Sequence, residues 1–150
     1  IGAGSVVIIS GGFSERGTQL GSKLQSEIRA FANQSGIRIC GPNCLGIANV
    51  AANTWATSSS PDPNLLPGPV ALVSQSGASA YGPLVTRAKE IGMGYSYIIS
   101  TGNEADLEAS DFIGFLLDVP TVKVIACFIE GFKEGRNFIC PIVCWCNDAD

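Results

Sequence analysis

Short apolar runs rich in β-branched residues alternate with amphipathic helical segments, and this alternation restricts the possible folds more than any other feature of the sequence. Strands separated by helices of this length are typical of parallel βαβ units, whose ligands bind at the carboxyl ends of the strands. We therefore predict an α/β fold built from parallel βαβ layers. The strands are predicted at 6–10, 37–40, 70–73, 95–100 and 122–129, and the helices at 17–35, 80–91 and 109–117.

The alternation stops over residues 51–69, where small polar residues and four prolines replace the periodic pattern. Proline restricts the chain to extended and turn conformations, so this stretch is the best candidate for a boundary. We predict one domain at 1–60, a linker at 61–68 and a second domain at 69–150. The prolines are Pro61, Pro63, Pro67 and Pro69.

Each predicted helix carries an apolar stripe that we expect to face a core, because residues three and four apart share one face of a helix. The stripes are Leu20, Leu24, Ile28, Phe31 and Ala32 on the first helix, Ala80, Leu84, Val85, Ala88 and Ile91 on the second, and Ala109, Phe112, Ile113, Leu116 and Leu117 on the third.

The charge balance limits the partners of the chain. Nine Lys and Arg against thirteen Asp and Glu give a net charge of −4, whereas nucleic-acid binding needs a basic face. No apolar run is long enough to span a bilayer, and the start of the chain has neither Met nor a basic leader. We predict a cytoplasmic protein with no nucleic-acid or membrane partner, and we expect the sequence to be a piece cut from a longer chain.

The chain contains no histidine, which excludes a Ser-His-Asp triad, phosphohistidine and imidazole metal ligands within these 150 residues. The six cysteines are predicted to be reduced thiols, as is usual inside cells. Cys140, Cys144 and Cys146 offer three thiolates for zinc, but no fourth ligand lies nearby, so we predict no metal site.

Three loops that follow strands are rich in glycine, serine and amide side chains: 41–46, 74–77 and 101–104. Backbone N–H groups at the start of a helix bind phosphate well, so loop 74–77 is either an anion site or a plain turn in which serines cap the helix. Cys44 is either a buried apolar group or a nucleophile. Glu130, directly after an apolar strand, is either an exposed loop charge or an active-site carboxylate.

Four motifs occur in an order and spacing that resemble the NDP-forming acyl-CoA synthetases, relatives of the succinyl-CoA synthetase alpha subunit. The motifs are Gly-Pro-Asn-Cys-Leu-Gly-Ile-Ala-Asn (41–49), Ala-Leu-Val-Ser-Gln-Ser-Gly-Ala (71–78), Ser-Thr-Gly-Asn-Glu-Ala-Asp (100–106) and Phe-Ile-Glu-Gly (128–131). The resemblance covers roughly residues 1–138. It implies the C-terminal half of a Rossmann-type CoA-binding domain followed by a flavodoxin-like succinyl-CoA synthetase domain.

The resemblance also implies a reaction. Such enzymes interconvert acyl-CoA, NDP and phosphate with the free acid, CoA and NTP, through an acyl phosphate and a phosphohistidine. CoA is then a substrate, and ATP or ADP with Mg²⁺ is expected only on an ATP-grasp domain or subunit outside this chain. By the resemblance, the CoA thiol and acyl group bind beside Asn43, Cys44 and Gly46, phosphate binds at Ser74, Ser76 and Gly77, and Glu130 orients the phosphorylated histidine.

The sequence departs from the family after Phe138, where a helix of the family is missing, and it lacks the phospho-accepting histidine. We therefore expect residues 139–150 to pack poorly and this chain alone to be inactive. The alternative function is a non-catalytic module that binds CoA or an acyl phosphate. A Ser-His-Thr-Gly-like segment beyond position 150 of the coding sequence would distinguish the two. The sequence does not identify the acyl group, and it does not show whether the nucleotide is ADP or GDP.

Overall fold

The structure is a computed structural model, and it describes residues 2–133 together with residues 135 and 139. Its elements follow the predicted alternation closely. The strands are β1 Ser5–Val7, β2 Arg38–Cys40, β3 Gly46–Asn49, β4 Thr54–Thr57, β5 Pro67–Ser74, β6 Tyr95–Ser100 and β7 Val124–Phe128. The helices are α1 Gln19–Ser35, α2 Gly77–Ser79, α3 Val85–Glu90 and α4 Ala109–Leu117, with a 3₁₀ turn at Ser14–Arg16 and a π-helical turn at Ala80–Leu84 between α2 and α3.

Parallel pairing forms the centre of the molecule, as predicted. Strands β5, β6 and β7 are parallel neighbours in a five-stranded sheet with the order β4-β3-β6-β5-β7, and β1 pairs with β2 in a separate two-stranded parallel sheet. The α/β prediction with parallel βαβ units is therefore confirmed. Because the parallel strands run the same way, Ser74, Ser100 and Phe128 end them at one edge of the sheet.

Strands β3 and β4 form an antiparallel hairpin that the sequence analysis did not predict. β3 also pairs antiparallel with β6, so the hairpin completes the five-stranded sheet. Gly46 lies opposite Ser100, which brings the start of β3 to the carboxyl edge of β6. The hairpin lies within the range 1–60 in sequence but within the larger sheet in space. The division into domains at 1–60 and 69–150 stays a prediction.

The larger sheet is covered on both faces, because successive side chains of a strand point to opposite sides. Val70 and Leu72 pack on one face with Val85 and Ala88 of the α2–α3 segment, and Ala71 and Val73 pack on the other with α4. Full burial of a side chain such as Ile98 or Leu116 contributes roughly 1.5–3 kcal/mol. Among the stripe residues of the two helical segments that cover this sheet, Ile91 was predicted wrongly, because it follows the end of α3 and is 78% exposed.

Helix α1 buries much less of its apolar stripe than predicted. Thr18 caps its start by accepting a hydrogen bond from the Gly21 N–H group, and Gly36 ends it with a left-handed backbone. Of the predicted stripe only Ala32 is buried, whereas Leu20 is 66% and Phe31 is 53% exposed. The two-stranded sheet of β1 and β2 is too small to cover the whole helix face.

Within the described residues, no helix has the length and apolar character needed to cross a membrane. The described cysteines Cys40, Cys44 and Cys127 are free thiols. The predictions for Cys140, Cys144 and Cys146, and for the packing of 139–150 apart from residue 139 itself, lie outside the described residues.

Candidate functional site

A cavity of about 430 Å³ opens at the carboxyl edge of the larger sheet, where the predicted loops meet. We call it the loop cavity. Five predicted site residues that are far apart in sequence share its wall. They are Asn43, Cys44, Ser76, Gly77 and Glu130.

The other two predicted site residues, Ser74 and Gly46, do not line the loop cavity but support its wall. Ser74 is fully buried at the end of β5, and its hydroxyl donates a hydrogen bond to the Ser76 carbonyl oxygen at 2.7 Å. Gly46 starts β3 with a φ of 97°, and a Cβ atom there would lie 2.2 Å from the Ala56 carbonyl oxygen. Their predicted roles in phosphate and CoA binding stay predictions.

The loops after β2 and β6 pack backbone to backbone on one side of the cavity. The Asn103 N–H group donates to the Pro42 carbonyl oxygen, and the Ala105 N–H group to the Gly41 carbonyl oxygen, both at 2.8 Å. Gly102 allows this approach, because a Cβ atom there would lie only 2.3 Å from the Pro42 oxygen. The exposed side chain of Asn43 adds a hydrogen bond to the Asn103 side chain at 3.1 Å.

Cys44 lies in the cavity wall but is only 2% exposed. Its sulfur lies 3.4 Å from the Ile8 carbonyl oxygen, and the sulfur of the buried Cys40 lies 3.5 Å from the Ser100 carbonyl oxygen. Interaction between the two thiols lowers the pKa of Cys44 and raises the pKa of Cys40. Cys44 therefore combines the burial of an apolar core residue with a thiol that ionises more readily than an ordinary cysteine.

The turn from β5 into α2 has the geometry of a capped helix start. The Ser76 hydroxyl oxygen accepts a hydrogen bond from the Ser79 N–H group at 3.3 Å, so the serine cap that the sequence analysis left open is present. Gly77 faces the cavity, and a Cβ atom there would lie 2.6 Å from the Leu45 side chain. A larger residue at Gly77 would therefore displace Leu45 as well as obstruct the cavity.

Glu15 is a site residue that the sequence analysis missed. Its carboxylate accepts hydrogen bonds from the Asn103 side chain at 2.6 Å and from the Gly12 and Phe13 N–H groups at 2.5 and 3.1 Å. Burial raises the pKa of Glu15, but these hydrogen bonds outweigh it and lower the pKa to about 2. The position is 88 residues from Asn103 in sequence, so no local pattern indicates this pairing.

Gln75 and Glu104 were also missed, although both lie inside quoted motifs. Glu104 is 3% exposed and has a left-handed backbone with a φ of 57°. Burial raises its pKa, although hydrogen bonds from Thr101 and Gln75 oppose the shift. Lys133 donates to the carbonyl oxygens of Asn103 and Glu104, and burial lowers its pKa. The motifs mark these positions as unusual, but their contacts arise only from the fold.

The loop cavity carries two carboxylates, Glu15 and Glu130, and none of the residues lining it is basic. The N–H groups and hydroxyls of loop 74–77 are therefore the groups suited to an anion in this wall. No group of three or more Asp, Glu, Cys or His side chains within the described residues could hold a metal ion.

Residues 67–142 match the family model of the succinyl-CoA ligase-like flavodoxin domain. The matched range begins with β5 and includes Ser76, Gly77 and Glu130 of the loop cavity.

Several known proteins resemble nearly the whole chain. The alpha subunit of acetate–CoA ligase (ADP-forming) II from Pyrococcus furiosus is 44% identical over 92% of the chain, and the acetate–CoA ligase (ADP-forming) of Methanocaldococcus jannaschii is 38% identical over 90%. The dinucleotide-forming acetyl-coenzyme A synthetase 1 of Ca. Korarchaeum cryptofilum, solved with phosphate and ADP, superposes with a TM-score of 0.84 at 34% identity over 94% of the chain. The chain spans only 29%, 18% and 30% of these proteins, respectively.

Proposed function

The chain belongs to the family of proteins with a succinyl-CoA ligase-like flavodoxin domain, and on that premise we propose that it forms part of an NDP-forming acyl-CoA synthetase. The proposed reaction converts acyl-CoA, phosphate and NDP into the free acid, CoA and NTP. In the first step the acyl group is transferred from sulfur to phosphate. In the second step the phosphoryl group is transferred through a histidine to the nucleotide. The similarity to named acetate–CoA ligases supports this proposal.

The observation that carries the proposal is the loop cavity itself. Groups suited to a thioester, to phosphate and to an imidazole line one space of about 430 Å³, although they come from three separate loops. Acyl transfer from sulfur to phosphate requires both reactants side by side, since holding them in contact supplies a large part of the rate enhancement. The loop cavity is placed where a parallel sheet binds its ligands.

We assign the first half of the reaction to two walls of the cavity. Asn43 and Cys44 contact the CoA thiol and the acyl group, and the amide of Asn43 is exposed at the cavity wall. Phosphate binds at Ser76 and Gly77, where the Ser76 oxygen already accepts the Ser79 N–H group and its hydroxyl proton can be donated to a phosphate oxygen. CoA is thus a substrate rather than a resident cofactor.

We assign the second half to Glu130. A carboxylate that accepts a hydrogen bond from an imidazole N–H group fixes the ring orientation and stabilises its charged form. The 150 residues contain no histidine, so the imidazole belongs to another part of the protein or to a partner. Nucleotide and Mg²⁺ are likewise proposed to bind an ATP-grasp domain or subunit. Asp and Glu oxygens suit Mg²⁺, but the described residues contain no cluster of them.

Replacement of Glu130 by glutamine tests the proposed function in the full-length protein. The variant keeps the size of the side chain but removes its charge, so we expect phosphoryl transfer to the histidine to fall on the order of 10²- to 10⁴-fold. The measurement is acid-labile protein phosphorylation, together with ATP formation from acetyl-CoA, phosphate and ADP.

Glu27→Gln is the matched control, because Glu27 is an exposed residue of α1 that pairs only loosely with Lys23, at 3.9 Å. It should leave both measurements at the wild-type level. A wild-type protein that binds CoA but never becomes phosphorylated would instead support the non-catalytic module. Phosphorylation that Glu130→Gln leaves intact would refute the role of Glu130.

Replacement of Ser76 by alanine tests the phosphate site. Loss of one hydrogen bond to a charged ligand should raise the apparent phosphate KM about tenfold or more, with the acyl-CoA KM unchanged. Loss of the cap should also lower stability by about 0.5–2 kcal/mol. Thr18→Ala removes the comparable cap of α1 away from the loop cavity, so it should cost similar stability and leave the phosphate KM unchanged. Equal phosphate KM values in the two variants would show that Ser76 acts only as a helix cap and does not bind phosphate.

A further inference from the structure

We propose that Gln75 is a positioning residue that holds the turn carrying Glu130 and joins it to the buried carboxylate of Glu104. This inference deepens the proposed function, on which its catalytic consequence rests. Gln75 is the residue between the predicted phosphate ligands Ser74 and Ser76, and it is half-buried in the wall of the loop cavity.

The carboxamide oxygen of Gln75 binds the turn after β7. It accepts hydrogen bonds from the N–H groups of Glu130 at 2.7 Å and Gly131 at 3.0 Å. The Gln75 backbone N–H group donates to the Phe128 carbonyl oxygen at 3.0 Å, which extends the pairing of β5 with β7 by one residue. The side chain then continues this pairing where the strands themselves have ended.

The carboxamide nitrogen completes the arrangement. It donates to the Gly131 carbonyl oxygen at 2.7 Å and to the Glu104 carboxylate at 3.1 Å. A carboxamide has two N–H bonds and two acceptor lone pairs, so these four contacts use its full hydrogen-bonding capacity. The contacts also determine which end of the amide is the oxygen. In the reversed orientation the NH₂ group would face the N–H groups of Glu130 and Gly131, and no acceptor would lie between them.

The Glu104 carboxylate that accepts from Gln75 is itself held by further hydrogen bonds. Its other carboxylate oxygen accepts hydrogen bonds from the Thr101 hydroxyl at 2.8 Å and from the Ala109 N–H group at 3.0 Å. These partners belong to the loop after β6 and to the start of α4, so Glu104 is fixed to two elements. Gln75 therefore links the β6–α4 connection to the turn at Glu130, and the Glu130 backbone cannot shift without breaking this link.

No similar side chain reproduces these contacts. Leucine fills the space but leaves the N–H groups of Glu130 and Gly131 without the partner they have in the structure. Glutamate can still accept from both N–H groups, but its second oxygen then faces the Gly131 carbonyl oxygen and the Glu104 carboxylate. That arrangement is stable only when the second oxygen carries a proton that it can donate.

Gln75→Leu in the full-length protein is the first variant. Displacement of Glu130 should lower kcat for ATP formation from acetyl-CoA, phosphate and ADP by about tenfold to a hundredfold, since small misplacements near reacting groups have effects of that size. The acetyl-CoA KM should stay near the wild-type value. Gln34→Leu is the matched control, because Gln34 is exposed on α1 and does not line the loop cavity.

Gln75→Glu is the second variant and gives a readout that general loss of stability would not produce. We expect its kcat to recover toward the wild-type value as the pH falls and the added carboxyl becomes protonated, whereas Gln75→Leu shows no such recovery. The ionisable groups around it are Glu104, Glu130 and Lys133, with Glu15 in the same cavity wall and with Arg29 and Glu108 close to Lys133. Since these groups are shared with Gln75→Leu, the difference between the two variants isolates the added carboxyl.

Hydrogen exchange separates this inference from the proposed function. In Gln75→Leu the backbone amides of Glu130 and Gly131 should exchange faster, because their acceptor is gone, while amides within β5 and β6 keep their wild-type rates. This measurement needs no activity. If the wild-type protein forms neither ATP nor GTP from any of a series of acyl-CoA thioesters, the proposed function fails, and exchange at these two amides still decides whether Gln75 holds the turn.

Two results would overturn the inference. One is wild-type exchange at Glu130 and Gly131 in Gln75→Leu, which would show that the side chain does not hold the turn. The other is faster exchange with unchanged kcat in an active protein, which would show that holding the turn does not position Glu130.

Discussion

Replacement of Gly102 by alanine should destabilise the protein by about 2–5 kcal/mol and abolish acyl-CoA-dependent ATP formation. Two effects add. Gly102 has a left-handed backbone with a φ of 63°, which disfavours any side chain, and an added Cβ atom would lie 2.3 Å from the Pro42 oxygen and 2.6 Å from the Asn43 oxygen. Because both neighbours are backbone atoms, the loops after β2 and β6 must separate. The measurement is thermal denaturation together with ATP formation.

Gly36→Ala is the control that separates the two effects. Gly36 ends α1 with a φ of 72°, but no atom lies within 4 Å of the position of an added Cβ atom. Gly36→Ala should therefore lower the free energy of unfolding only by the cost of a side chain on a left-handed backbone, about 1–2 kcal/mol. It should leave activity unchanged. Equal losses of stability in the two variants would show that an added Cβ atom at Gly102 does not force the two loops apart.

Replacement of Glu104 by leucine should lower the free energy of unfolding by about 3 kcal/mol. The change removes the acceptor of three hydrogen bonds, from the Thr101 hydroxyl, the Ala109 N–H group and the Gln75 side chain. Each buried donor left without its partner costs about 1–3 kcal/mol, and the more apolar side chain recovers part of that loss. Chemical denaturation of the full-length protein measures the difference.

The pH dependence of stability in Glu104→Gln tests the direction in which folding shifts the pKa of Glu104. Burial raises the pKa of Glu104, so the folded protein binds this proton more tightly than the unfolded chain. The contribution of Glu104 to stability is therefore fully present below the ordinary carboxyl pKa and declines as the pH rises through the higher folded pKa.

The stability of the wild type minus that of Glu104→Gln should accordingly fall with rising pH in that window and then level off. Glu15, whose pKa is lowered, contributes in the opposite direction but is common to both proteins and cancels in the difference. A difference that increases with pH would mean that the hydrogen bonds to Glu104 outweigh its burial.

Much of the architecture was predictable because it depends on local patterns. Short apolar runs indicate buried strands such as β5 and β6, and the 3.6-residue period of the apolar residues indicates α4. Parallel strands place their following loops at one edge, which explains why Ser76 and Glu130, after β5 and β7, share the loop cavity. Asn43 follows β2 of the other sheet, and its loop reaches the cavity through backbone hydrogen bonds to the loop after β6. The roles of these residues in binding and catalysis stay predictions.

Other features were not predictable from local patterns. The hairpin of β3 and β4 pairs with β6, about 50 residues later in the sequence, and no local pattern indicates that pairing. The stripe of α1 has a helical period, yet periodicity shows only that a face is apolar and not that anything covers it. Leu20 and Phe31 are therefore exposed in spite of a correct helix prediction.

The amino-acid sequence alone determined the α/β class, the order of the parallel strands and the helices between them, the family and the loops that carry polar residues. These follow from periodicity, turn chemistry and ordered motifs, each of which acts over a short stretch of chain. Only the tertiary structure decided that Glu15 pairs with Asn103, that Gly102 lies against Pro42, and that Gln75 links Glu104 to the turn at Glu130. Hydrogen bonds and close contacts of this kind depend on distances of a few ångströms between residues 29 to 88 positions apart, and those distances exist only once the chain has folded.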